Sequence, residues 1–168
     1  MGEQLYRLAY CSRNLIQGEP SSVNQQIQSI LMSARAKNAR MKITGALYYN
    51  AGSFAQVLEG PLDAVCTVFE RIQQDARHSE VIVVQNGPAS DRFFPDWSMA
   101  YAGAECRPMT PMTTEVFEAA FADEDGAGDK VLAMLRELVT QENDWALSDY
   151  IGQDLSSPAV GDSMHAYA

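Results

Sequence analysis

The chain has 168 residues, 46% of them hydrophobic and 20% charged, with a formal net charge of −10. That length suffices for one domain plus an appendage, and no run of about 18 apolar residues is present to span a membrane. The acidity argues against nucleic-acid phosphates as partners, while three widely spaced cysteines (Cys11, Cys66, Cys106) form no metal or redox motif and suit reduced thiols in a soluble cytoplasmic protein.

Leu5–Ser12 alternates and is rich in strand formers, with no signal-peptide pattern before it. Arg13–Pro20 reads as a loop. Ser21 or Ser22 is placed to cap a helix, and Gln25 completes a capping box with Ser22. Val23, Ile27, Ile30, Leu31 and Ala34 then share one stripe, and Arg35, Lys37 and Arg40 close the helix where cations complement its dipole. Ile43–Gly60 reads as a β-hairpin turning at Asn50-Ala51-Gly52. Pro61 opens a second helix with Val65, Val68, Phe69 and Ile72 on its apolar face. Val81–Gln85 reads as a short buried strand, and Trp97–Tyr101 as a fifth. The order β-α-β-β-α-β-β predicts a ferredoxin-like α+β sandwich, with two helices on one face of a five-stranded, mostly antiparallel sheet.

Charge marks a boundary beyond that sheet. Up to residue 106 nine Lys/Arg face ten Asp/Glu; after it three face twelve. With Pro108 and Pro111 nearby, this predicts a first domain over 1–104 and an acidic helical extension over 105–168. Thr114–Ala122 and Lys130–Glu142 are its predicted helices, the second apolar enough to dock on the sheet or on another subunit. Ser156–Ala168 is small, polar and predicted to be mobile.

Motifs of ordinary catalysis are missing: no phosphate loop, nucleophile elbow, zinc-protease helix or dinucleotide fingerprint, and only two histidines. Several polar residues nevertheless occupy apolar faces. Alternation puts Gln56 with Phe54 and Leu58, and burying its amide unpaired costs roughly 1–3 kcal/mol. Tyr10 shares a face with Tyr6 and Leu8, where a core tyrosine with a paired hydroxyl is the plain reading. Asn38 follows Ile30 on one helix face, with a C-cap as its plain role. Arg71 and Asp75 form an i,i+4 pair, ordinarily a surface salt bridge, and Ile72 lies beside them. Two apolar side chains on facing helices, flanked by hydrogen-bonding groups, suit a flat amphipathic ring held between them.

Five stretches carry a family resemblance over about residues 4–101: "LAYCS", "NARMKITGALYY", "GSFAQVLEG", "ERIQQDARHSEV" and "FPDWSMAY". Together, and in this order, they resemble the BLUF domain, a flavin-based blue-light sensor. The resemblance implies a non-covalently bound flavin, usually FAD with FMN as the variant. Asn38, Arg71 and Asp75 would meet its polar edge or ribityl chain, Ile30 and Ile72 would sandwich its ring, and His78 would lie near its side chain. Tyr10 and Gln56 would form the photoactive pair, with electron and proton leaving Tyr10 and the Gln56 amide rearranging. Trp97 and Met99 would relay the change along the last strand to the C-terminal helices. Lys37 departs from the residue several relatives carry against the ring.

Output would then run through light-dependent contact with a signalling protein, with homo-oligomerisation as one mode, and without enzymatic activity of the chain's own. Two other readings compete. A flavin-dependent oxidoreductase needs a route for a hydride donor, and a cofactor-free interaction module gives every polar residue its plain role.

Overall fold

Strand alternation and two amphipathic helices fold as the pattern predicts, with several shifted boundaries. The computed structural model describes residues 3–103 and 110–154, with 142–154 by their backbone alone. In chain order the elements are β1 (Leu5–Asn14), α1 (Pro20–Arg40), β2 (Thr44–Tyr49), β3 (Ser53–Pro61), α2 (Leu62–Gln73), β4 (His78–Pro88), β5 (Ala100–Gly103), α3 (Pro111–Phe121) and α4 (Ala127–Asp154). The predicted domain boundary at 104/105 and the predicted mobile end at 156–168 lie outside the described residues. No helix among the described residues is long and apolar enough to cross a membrane.

The five strands form one sheet in the order β4-β1-β3-β2-β5. Only β2 and β5 run parallel; the other pairs are antiparallel. This is the ferredoxin-like α+β arrangement with a fifth strand on one edge. Period-two alternation divides the side chains between two cores. Leu8, Tyr10, Leu47, Phe54 and Leu58 face α1 and α2, meeting Ile27, Leu31 and Val65. Ala9, Cys11, Ala46, Ala55 and Val57 face the other way, onto Val116, Phe117, Ala120, Val131, Leu132 and Leu135 of α3 and α4. The acidic extension therefore supplies the second cover of the sheet.

The boundaries that moved have physical causes. Neither serine caps α1. The helix starts at Pro20 with Glu19 as its N-cap residue, whose carbonyl accepts from Ser22 N and Val23 N at 2.9 and 3.0 Å. Proline's fixed φ and missing N–H favour the first helical position, one residue ahead of the serines. The Asn50 side chain builds the hairpin turn, its Oδ1 accepting from Gly52 N and Ser53 N at 2.9 and 2.7 Å. β4 is longer than predicted and is a half-exposed edge strand rather than a buried one. Trp97 and Met99 precede β5 instead of lying on it, because the carbonyls of this segment are held by groups outside the ladder.

Glu59 is 0% exposed, on the α3/α4 side of β3. Its carboxylate accepts from Arg7 Nε at 2.6 Å, from Phe93 N at 2.8 and 2.9 Å, and from Phe94 N at 2.9 Å. Arg92 adds bonds to Thr44 Oγ1, Glu59 O and Lys42 O. A buried charge is tolerable only when paired and hydrogen-bonded in this way. The cluster anchors the chain between β4 and β5 to the rest of the sheet.

Candidate functional site

A cleft of about 230 Å³ lies between α1 and α2, floored by the sheet. Ile30, Ser33, Ala34, Lys37 and Asn38 reach it from α1, and Val68, Arg71 and Ile72 from α2. Their spacings of three, four, seven and eight keep each set on one helical face. Tyr10, Leu47, Phe54 and Gln56 form the floor. Asp75, Arg77 and His78 line it from the turn into β4 and that strand's first residue.

Register brings two of the floor residues together. Tyr10 pairs with Gln56 across β1 and β3, and Tyr10 Oη donates to Gln56 Oε1 at 2.5 Å. The other end of the amide, Nε2, meets Met99 Sδ at 3.4 Å. Gln56 is 5% exposed, and both ends of its amide have a protein partner. Burial pushes the Tyr10 phenol well above its usual range, and Cys11 and Asp75 add to the shift. Tyr10 is thus a neutral donor at every physiological pH. Cys11, behind it on the opposite face, is pushed up to about 12 by the same desolvation.

His78 is fixed by two contacts. Its Nε2 lies 2.6 Å from Ile72 O, and its Nδ1 lies 2.8 Å from Ser12 Oγ. A carbonyl only accepts, so Nε2 carries hydrogen; in the neutral ring Nδ1 then accepts from the Ser12 hydroxyl. The ring also stands edge-on to Tyr10 and Phe54, with centroids 6.1 Å away in each case.

Asn38 is 1% exposed and donates through Nδ2 to Ser98 O at 2.9 Å. It is not the C-cap of α1, which runs on to Arg40 with Met41 as its cap. The predicted Arg71–Asp75 pair does not form. α2 stops at Gln73, so Asp75 leaves the helical spacing and binds Arg77 instead, with Nη2 to Oδ2 at 2.5 Å. That pairing holds the Asp75 carboxyl below its usual range. Arg71 and Lys37 are exposed at the cleft and make no ion pair among the described residues.

The cleft thus gathers Tyr10, Ile30, Asn38, Gln56, Arg71, Ile72, Asp75 and His78. Met99 joins them through Gln56, whereas Trp97 does not. Trp97 packs on the α3/α4 side, with its ring 6.4 Å from Phe94. Arg77 and the buried Glu59 were missed at the level of sequence, since nothing local marks either. Isoleucines on facing helices, the Gln56 amide on the floor, the Asn38 amide on α1 and cations at the rim without an ion pair among the described residues fit a flat heterocycle carrying a polar chain and phosphate.

Comparison with known proteins settles the family. Residues 5–100 match the family described as "BLUF: Sensors of blue-light using FAD". The chain belongs to the BLUF family. A photoactivated adenylate cyclase subunit beta of Euglena longa is 36% identical over 91 residues, covering 54% of this chain and 11% of that protein. The alpha subunit from Euglena gracilis is 38% identical over 91 residues, 54% of this chain and 8% of its own length. The chain therefore spans about a tenth of these curated relatives, and the match covers its BLUF portion. Among solved structures, the dark-state BLUF protein BlrB is 31% identical, with a TM-score of 0.62 over 83% of this chain and 98% of that one. Photo-activated BlsA is 28% identical, with a TM-score of 0.64 over 79% and 94% of the two chains. BLUF membership makes this chain a flavin-based blue-light sensor by family. Klebsiella pneumoniae BlrP1, solved with FMN and cyclic diGMP, is 25% identical, with a TM-score of 0.57 over 81% of this chain and 34% of that one.

Proposed function

We propose that this chain is a non-enzymatic blue-light photoreceptor of the cytoplasm that holds FAD between α1 and α2 and signals by protein contact. The observation that carries the reading is the Tyr10–Gln56–Met99 chain of contacts at the floor of the cleft. When bound, the flavin supplies blue-light absorption and, once excited, an acceptor for one electron.

The protein groups supply the rest. Ile30 and Ile72 grip the ring from facing helices, and Asn38 meets its polar edge. Lys37 and Arg71, without an ion pair among the described residues, suit phosphate, which favours FAD or FMN over a flavin lacking phosphate. Tyr10 is neutral and already hydrogen-bonded, so losing an electron would make its proton strongly acidic, with Gln56 Oε1 2.5 Å away to receive it. Return of both electron and proton to Tyr10 would leave only the Gln56 amide rearranged. The amide presents a donor at one end and an acceptor at the other. Exchanging those ends inverts the hydrogen-bond pattern without changing net charge. Nε2 then no longer donates to Met99 Sδ, and that loss passes the change to the chain entering β5, with Trp97 on its other face. α3 and α4 cover the sheet behind it and carry the signal to a protein partner, with self-association as one form of output.

Absorption spectroscopy on the flavin-loaded full chain tests this reading. Blue light should shift the oxidised flavin band slightly to the red, and darkness should restore it. Gln56→Leu should abolish the shift, and Tyr10→Phe should block the photocycle, each with flavin still bound. A wild-type band that stays fixed under light, or a normal shift and recovery in Gln56→Leu, would overturn it.

A further inference from the structure

Three successive carbonyls before β5 are gripped by donors from other elements. Trp97 O accepts from Gly45 N at 3.0 Å, Ser98 O from Asn38 Nδ2 at 2.9 Å, and Met99 O from Arg35 Nε at 3.0 Å. The last contact is the unusual one. Cations in the closing turns of a helix ordinarily stay solvated or meet the helix's own last carbonyls. Arg35, although exposed, reaches a carbonyl 64 residues away in sequence. It makes no ion pair among the described residues and does not line the cleft.

Arg35 and Gln56 meet on one residue. Met99 is 2% exposed, its backbone held by Arg35 and its sulfur facing Gln56 Nε2. A hydrogen bond from a charged donor is stronger than one between neutral groups, and the guanidinium fixes its direction. We infer that Arg35 is a positioning residue: it latches Met99 against Gln56, so that this segment shifts only when the Arg35–Met99 bond breaks. The inference rests on the photoreceptor reading above. It adds a residue outside the cleft that sets how firmly the dark arrangement is held.

The test uses the full flavin-loaded chain with Arg35→Ala and, in case that variant folds poorly, Arg35→Lys. Flavin binding and the size of the initial red shift should match wild type, since Arg35 touches neither Tyr10 nor Gln56. Dark recovery should slow about threefold or more in Arg35→Ala, with Arg35→Lys between it and wild type. In a Met99→Leu background, where no sulfur faces Gln56, Arg35→Ala should add little further change. A readout without light separates this inference from the photoreceptor reading. In the dark, the Met99 methyl resonance should move or broaden in Arg35→Ala. An unmoved resonance, recovery within about twofold of wild type, or an equal slowing in the Met99→Leu background would overturn the latch. A wild-type protein showing no light response would instead overturn the photoreceptor reading, with the methyl resonance still deciding the latch.

Discussion

At the scale of single residues, the most consequential group outside the cleft is the Glu59 carboxylate. It is wholly buried and satisfies two backbone donors, Phe93 N and Phe94 N, besides crossing to β1 through Arg7. Glu59→Ala would leave the Arg7 guanidinium and two backbone N–H groups without their acceptor. Breaking a buried pair in this way costs about 3–5 kcal/mol, and chemical denaturation should read that loss. Glu59→Gln retains an acceptor and should cost less. Asp75 gives a smaller, pH-dependent effect. Its carboxyl is held below the usual range by Arg77, so the pair stabilises the fold at pH values above the unfolded-state value. That contribution is lost as pH falls through the lower, folded-state value. Asp75→Asn should therefore flatten the acid limb of a stability–pH curve, while stability at neutral pH falls slightly because the pair is about one-third exposed.

At the scale of elements, close backbone approach sets the contact between α4 and β4. A Cβ on Gly128 would lie 2.6 Å from Val84 O, so α4 begins where only a glycine lets it touch β4. Gly128→Ala should push the start of α4 off the sheet, lower the melting temperature and speed amide exchange in α4 more than in α1. Which elements form was legible from periodicity, since each long helix buries one face and alternate side chains of the central strands enter opposite cores. Placement of the ends was less so. Ser21 and Ser22 looked like caps, but Pro20 starts the helix one residue earlier. Trp97–Tyr101 looked like a strand, but its first half is tied down by Gly45, Asn38 and Arg35. The site divides in the same way. Gln56 stood out because an amide on an apolar strand face needs partners, and Tyr10 was the residue directly opposite in the register. Arg35, Glu59 and Arg77 did not stand out. The partners of the first two lie 64 and 52 residues away, and Arg77 depends on α2 ending before Asp75.

At the scale of the whole molecule, the sheet has helices on both faces, and the two faces do different work. α1 and α2 frame the cleft, whereas α3 and α4 bury the back of β1, β2 and β3. Removing everything after residue 103 would expose Ala9, Cys11, Ala46, Tyr48, Ala55 and Val57 to water. An apolar patch of that extent favours self-association, so the truncated chain should aggregate or melt at lower temperature. Cys11 provides a direct probe. In the full chain it is 0% exposed and its thiol is pushed up to about 12, so it carries almost no thiolate at neutral pH. Cys66, on the outer side of α2, is exposed and serves as the internal control. Alkylation at neutral pH, read peptide by peptide, should label Cys66 quickly in both proteins and Cys11 only in the truncated one. Blue light supplies the functional version of the same measurement. If output loosens α3 and α4 from the sheet, illumination should raise Cys11 labelling in the full flavin-loaded chain, and Gln56→Leu should remove that rise. Labelling of Cys11 that stays at its dark level in the light would show that the helices remain seated, and that the signal leaves by another surface.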